Sequence, residues 1–213
     1  YGADAGMPAP ENALEYSAPE TLLLEGPEKL PDSLRKLIED GSVKTESTSG
    51  NGIIRLPAGV ILVISNGKSS AKLSTELEET VISLDLCLDF EKSSRIVLAP
   101  ASDCPEKALQ ESVGLFQSLG KQVSVLKDIP GMVLVRTVAM LANEASLLVQ
   151  EEVADAAGVN LAMRKGANYP KGTLEWAEQW GFPSVVETLE NLREIYGERY
   201  QTSHWLQQKA KIN

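Results

Sequence analysis

The sequence predicts an α/β segment followed by an all-α segment, with the change near Asp128. Three observations carry this. Between Thr21 and Asp128, short apolar runs alternate with amphipathic stretches, as strands and helices do in a mostly parallel sheet. "KDIPG" (Lys127–Gly131) then punctuates the chain: Pro130 biases Ile129 towards extended backbone, and Gly131 frees the turn. Beyond it, apolar residues recur only at helical spacing.

In chain order, residues 1–20 are rich in Ala, Pro and Gly and read as a linker, or as the cut end of a longer polypeptide. "TLLLEG" (Thr21–Gly26) is a short buried strand. "PDSLRKLIEDG" (Pro31–Gly41) places Leu34, Leu37 and Ile38 on one helical face and stops at Gly41. "TESTSGNG" (Thr45–Gly52) reads as a surface loop. "GVILVISNG" (Gly59–Gly67) is a β-branched run between glycines, expected to be buried on both faces. "SRIVLAP" (Ser94–Pro100) is another strand. "CPEKALQESVGLFQSLG" (Cys104–Gly120) is a helix with Pro105 at its start, and "KQVSVLKD" (Lys121–Asp128) is the last strand.

After Pro130 come a long apolar helix (Gly131–Gln150), then helices over 155–166 (capped by Asp155), 173–181 (Thr173 as N-cap), 184–197 and 202–210. The predicted domains are therefore a lead-in at 1–20, an α/β domain at 21–128 and a helical domain at 129–213.

Composition narrows the function. A chain of 213 residues is enough for one large domain or two small ones. Its net charge is −10, with 20 acids and 12 bases in residues 1–128 against 10 and 8 in 129–213. Such a surface argues against nucleic acid or an anionic membrane as partner, and no apolar run approaches the roughly 20 residues of a membrane span. Two isolated cysteines, Cys87 and Cys104, with one histidine, His204, argue against a zinc site and for a reducing, cytoplasmic setting.

"KDIPGMVLVRTVAMLANEA" followed by "LAMRKGANYPKGTLEWAEQWG" resembles the helical C-terminal domain of the 3-hydroxyacyl-CoA dehydrogenase family. Asp128, Pro130, Gly131, Arg136, Glu144, Ala145, Ala162, Met163, Gly166, Pro170, Gly172 and Glu175 match that pattern in order. The likeness is strongest to the second half of the long, duplicated bacterial 3-hydroxybutyryl- or 3-hydroxyadipyl-CoA enzymes, where a degenerate Rossmann-like segment precedes a second helical domain. The resemblance implies an NAD-dependent oxidoreductase of fatty or aromatic acid degradation for the full enzyme. It also implies that the helical domain makes the dimer contact.

The departures point to a non-catalytic role. A Gly-x-Gly-x-x-Gly turn lets a pyrophosphate approach the backbone, but the first strand here is followed by "LEGPEKLP", and "SNGKSS" (Ser65–Ser70) is no better. The family's catalytic histidine would fall near "VLAPAS" (Val97–Ser102), which has none, and its substrate-side asparagine is replaced by Val135. No catalytic, cofactor-binding or metal residue is therefore expected in this chain, which would bind no cofactor of its own.

Arg136, Leu141, Glu144, Tyr169 and Trp176 are the candidates for an interface or pocket. Arg136 and Glu144 lie about 80° apart on one helix; they serve either in ion pairs across an interface or as a solvated edge. Tyr169, Trp176, Trp180 and Trp205 line a groove or belong to a core or interface. Lys165 and Lys171 meet a CoA phosphate or form a solvated loop. Cys104, before a helix N-terminus, has the setting that lowers a thiol pKa, but no histidine partner is close in sequence.

The expected partners are a second copy through the helical domain, the catalytic half of the same polypeptide, and acyl-CoA. The alternative from another class is a free-standing active dehydrogenase or an acyl-CoA-binding protein.

Overall fold

A computed structural model describes residues 15–212; most of the 1–20 lead-in lies outside that range. Among the described residues, an α/β unit takes 15–65 and 69–129, and a helical unit takes 130–212 with the short segment Asn66–Lys68.

The α/β unit is built on seven strands: β1 (Thr21–Glu25), β2 (Lys44–Thr48), β3 (Ile53–Leu56), β4 (Val60–Ile64), β5 (Thr80–Leu84), β6 (Arg95–Pro100) and β7 (Gln122–Val125). They lie in the order β2-β1-β3-β4-β5-β6-β7. Helices α1 (Asp32–Glu39), α2 (Ser70–Leu77) and α3 (Glu106–Ser118) connect the parallel pairs β1/β2, β4/β5 and β6/β7.

The expected mostly parallel sheet is instead mixed, because β1/β3, β3/β4 and β5/β6 are antiparallel. β3 brings two of these antiparallel pairs, and both it and the parallel edge strand β2 were hidden in the sequence. β2 falls in the segment expected to be a surface loop, since "KTEST" is an exposed edge strand with no apolar face. β3 is four residues joined to β4 by a tight turn at Gly59, φ +81°.

The core of this unit holds Leu22, Leu24, Leu34, Ile38, Ile54, Leu62, Ile82, Leu84, Phe90, Leu98 and Phe116, none more than 2% exposed. Each such side chain contributes about 1.5–3 kcal/mol on burial. β4 is buried along Val60–Leu62, as its unbroken apolar run requires. Residues 15–20 form no regular element, yet they pack on α3. Tyr16 N–H donates to Gln117 at 2.9 Å, and a Cβ on Gly114 would lie 2.3 Å from the Ser17 carbonyl oxygen.

The helical unit comprises α4 (Leu134–Gln150), α5 (Ala156–Gly166), α6 (Thr173–Trp180), α7 (Phe182–Tyr196) and α8 (His204–Ile212), with a 3-10 turn at Glu198–Tyr200. Its core joins Ala139 and Ala142 of α4 to Ala177, Phe182, Val185, Leu189, Leu192, Tyr200 and Leu206. The entry to α4 is a sharp turn, with Gly131 at φ +76° and Met132 at φ +43°. Leu192 closes it, since a Cβ on Gly131 would lie 2.8 Å from that side chain.

α6 is capped differently from the expectation. Thr173 is inside the helix with its hydroxyl buried and unpartnered, and Gly172 is the N-cap. The cap oxygen comes from a neighbouring helix: Asn160 Oδ1 accepts from Leu174 N–H at 3.0 Å and Glu175 N–H at 3.4 Å.

Candidate functional site

Three parallel crossovers offer three places where a strand's carboxyl end meets a helix N-terminus, the usual ligand position in open α/β sheets. After β1 that place is filled: Gly26 sits at φ +65°, and a Cβ there would lie 2.3 Å from the Gly50 carbonyl oxygen. After β4 the helix N-terminus is capped from the end of β7. Asp128 Oδ1 accepts from Ser70 N–H at 2.6 Å, and Asp128 Oδ2 from Ala71 N–H at 2.9 Å. Ser69 Oγ takes Lys72 N–H at 3.2 Å. Ser70 is fully buried, and its hydroxyl contacts Ser83 Oγ and the Ala99 carbonyl, each at 2.7 Å.

At the start of α3, Cys104 is partly buried. Burial and the neighbouring Asp103 carboxylate push its thiol pKa up, against the lowering expected from a helix N-terminus. Desolvation of the thiolate is the larger cause.

In the helical unit the five candidate residues do not converge on one place. Arg136 bends back to the start of its own helix: Nη2 donates to the Pro130 carbonyl at 2.5 Å, and the guanidinium lies 4.6 Å from the Tyr196 ring centroid and 5.9 Å from that of Tyr200. Glu144 instead lines a groove of about 510 Å³ with Asn143, Arg199, Thr202, Ser203 and His204. Leu141 is half-buried on α4. Tyr169 is half-buried, its N–H on the Met163 carbonyl at 3.1 Å. Trp176 is half-buried on α6, whereas Trp205 meets Phe182 edge to face at 5.8 Å.

His204, the chain's one histidine, is exposed and exchanges a hydrogen bond with the Gln208 amide at 2.8 Å. Lys171 and Gln179 form a hydrogen bond, and Lys165 is exposed.

Sequence reasoning missed the two asparagines that organise this unit. Asn143 is 2% exposed; it donates to the Gln201 carbonyl at 2.9 Å and accepts from Ser203 N–H at 2.9 Å. Ser146 and Ser203 hydroxyls meet beside it at 2.6 Å. Asn160 is the cap of α6. The signal was available: a buried asparagine inside an apolar helix must satisfy both ends of its amide. Among the described residues, no group of three or more His, Cys, Asp or Glu side chains could hold a metal ion, and no helix is long and apolar enough to cross a membrane.

An α/β unit feeding a five-helix unit through a Pro-Gly turn defines a class of domain pair, and the comparisons specify it. Residues 62–130 match the family model of the 3-hydroxybutyryl-CoA dehydrogenase reduced Rossmann-fold domain. Residues 131–213 match that of the 3-hydroxyacyl-CoA dehydrogenase C-terminal domain. The chain is 36% identical over 155 residues to a 3-hydroxyadipyl-CoA dehydrogenase of Escherichia coli, covering 72% of this chain and 32% of the relative.

A 3-hydroxybutyryl-CoA dehydrogenase of Bradyrhizobium diazoefficiens is 30% identical over 89 residues, covering 42% of this chain and 30% of the relative. The crystal structure of a 3-hydroxybutyryl-CoA dehydrogenase from Escherichia coli superposes with a TM-score of 0.71 at 33% identity, over 78% of this chain and 34% of that one. The chain thus spans about a third of the length of each of these three relatives. With residues 62–213 taken by its two models, the chain belongs to the 3-hydroxyacyl-CoA dehydrogenase family.

Proposed function

We propose that this chain serves as the C-terminal portion of an NAD-dependent 3-hydroxyacyl-CoA dehydrogenase, where it self-associates and supports the acyl-CoA pocket without oxidising substrate itself. The observation that carries this reading is one side of α4. Leu134, Leu141 and Leu148 stand seven residues apart; Leu134 and Leu148 are 37% and 41% exposed, and Leu141 is half-buried. A helix drifts only about 20° per heptad, so the three share one stripe. Such a stripe is suited to a second copy of the same helix.

The chemistry points the same way. Taking the hydroxyl proton from a 3-hydroxyacyl-CoA needs a base held by an orienting group, and His204 has an amide of its own helix as its hydrogen-bond partner. The partner supplying the base would be the catalytic half of the full enzyme, which would also hold the NAD. The family resemblance fits a cytoplasmic setting. The test is incubation of the chain with NAD and 3-hydroxybutyryl-CoA, following NADH absorbance. No formation above a boiled control is expected; turnover would favour the free-standing enzyme instead.

A further inference from the structure

We propose that Asp128 is a built-in anion that closes the β4–α2–β5 unit, seated on the backbone amides that a dinucleotide-type turn would offer to a phosphate. This rests on the reading above and deepens it, because it names the residue that would exclude a dinucleotide from the unit.

The argument begins with spacing. The turn after β4 runs Ser65-x-Gly67-x-x-Ser70, placing Ser, Gly and Ser at the three glycine positions of the dinucleotide fingerprint. An acid is expected about 20 residues on, at the end of the next strand. Asp85 stands there, directly after β5 and 3% exposed. The scaffold is also present, since β4 and β5 are parallel and joined through α2.

Each element that would hold a dinucleotide has been turned inward. In a working turn the third glycine lets helix and strand pack closely. Here Ser70 fills that gap, and its hydroxyl is committed to Ser83 and Ala99. The helix N-terminus carries roughly half a positive charge and free N–H donors. Asp128, 58 residues away in sequence, occupies it with both oxygens, on Ser70 and Ala71. The next two amides, of Lys72 and Leu73, go to the side chain and carbonyl of Ser69. Asp85 accepts from its own neighbour, Leu86 N–H, at 2.9 Å. A diphosphate would have to displace a covalently tethered carboxylate whose effective concentration is that of an intramolecular ligand.

The experiment titrates inorganic pyrophosphate, at matched ionic strength, into the wild-type chain and Asp128→Ala, reading the melting temperature. The wild type should not respond. Asp128→Ala should melt lower and recover by about 3–6 °C at pyrophosphate tenfold above its Kd. Should Asp128→Ala not fold alone, Asp128→Asn is titrated instead. It keeps an acceptor but loses the charge, and should gain protection at higher pyrophosphate.

Equal protection of wild type and variant would overturn the proposal, as would a folded variant that pyrophosphate does not protect. NADH bound by the wild type would sink the reading that the chain carries no dinucleotide. An unprotected variant beside a silent wild type would sink the closure alone.

Discussion

Asn160 and Gly172 are fitted to each other. The Asn160 carboxamide lies where a side chain on Gly172 would begin, with Oδ1 2.4 Å from an ideal Cβ at that position. The glycine lets one helix reach across and cap the next: Asn160 Oδ1 receives the N–H groups of Leu174 and Glu175. Glu175 returns the contact by accepting from Gly172 N–H at 3.0 Å, and Arg164 pairs with it. Arg164 and, secondarily, the Gly172 amide hold the Glu175 carboxyl below its ordinary pKa.

Asn160→Ala should therefore destabilise the helical unit by about 1–2 kcal/mol, the range for loss of an N-cap whose donors are left buried. Gly172→Ala should cost at least as much, because the new methyl displaces the same amide. Urea unfolding followed by helical circular dichroism measures both. If Gly172→Ala proved neutral, the close approach would not be what requires glycine there.

Arg136 holds the turn into α4 from inside. Its guanidinium covers Tyr196 and donates to the Pro130 carbonyl. A partly desolvated cation–π contact and a charge-assisted hydrogen bond together are worth about 1–3 kcal/mol. Arg136→Met should lower stability by that order. Arg136→Lys should recover less than half, because an ammonium cannot both stack flat and reach the carbonyl. Full recovery by lysine in the same unfolding assay would leave charge alone as the explanation.

The two units were legible to different degrees. The buried strands and the α4 pattern could be read because each declares itself locally, β4 by an unbroken β-branched run and α4 by its 3.6-residue period. The parallel edge strand "KTEST" was hidden because it has no apolar face, and the antiparallel β3 because "IIRL" is only one turn from β4. Non-local partners were hidden too. Asp128 reads as part of a Lys-Asp-x-Pro-Gly turn, yet its work is done on Ser70 and Ala71. Thr173 has the chemistry of a cap, but Asn160, thirteen residues earlier in sequence, supplies the oxygen. Arg136 and Glu144 are candidates on one helix, but Arg136 turns to the α7 end and Glu144 faces a separate groove.

Arg55 predicts a pH dependence for the α/β unit. It contacts Glu25 at 2.8 Å and pairs bidentately with Glu79. The Arg55 guanidinium holds the Glu79 carboxyl below its ordinary pKa, and Glu79 in turn raises Arg55. A depressed carboxylate pKa contributes stability that is present above the unfolded value of about 4.3 and lost as pH falls through the folded one. The side chains are about a third exposed, 31% and 35%, so screening limits the pair to roughly 0.5–1 kcal/mol. Arg55→Met should show that loss at pH 7 and converge with the wild type as pH falls below the ordinary carboxylate range and through the depressed Glu79 value. Curves that stay parallel down to pH 3 would show that the arginine acts through packing alone.

The α4 stripe predicts a dimer. The face of α4 towards its own unit is complete, with Val135, Val138, Ala139, Ala142, Ala145 and Ser146 all buried. Leu134 and Leu148 remain exposed on α4, and Val133 at 51% and Val153 at 65% flank its two ends. Exposed apolar side chains that share one helical stripe are suited to an interaction surface. A second copy of the helix would cover it symmetrically, and each large side chain buried adds about 1.5–3 kcal/mol. Sedimentation at tens of micromolar should find the wild type dimeric and Leu141→Glu monomeric. Because Leu141 is half-buried, that variant could fail through loss of fold. Leu148→Glu, at a position 41% exposed, is the companion: it should keep the wild-type circular dichroism and also sediment as a monomer. A wild-type monomer at that concentration, or a Leu148→Glu variant as dimeric as the wild type, would place the association elsewhere on the chain.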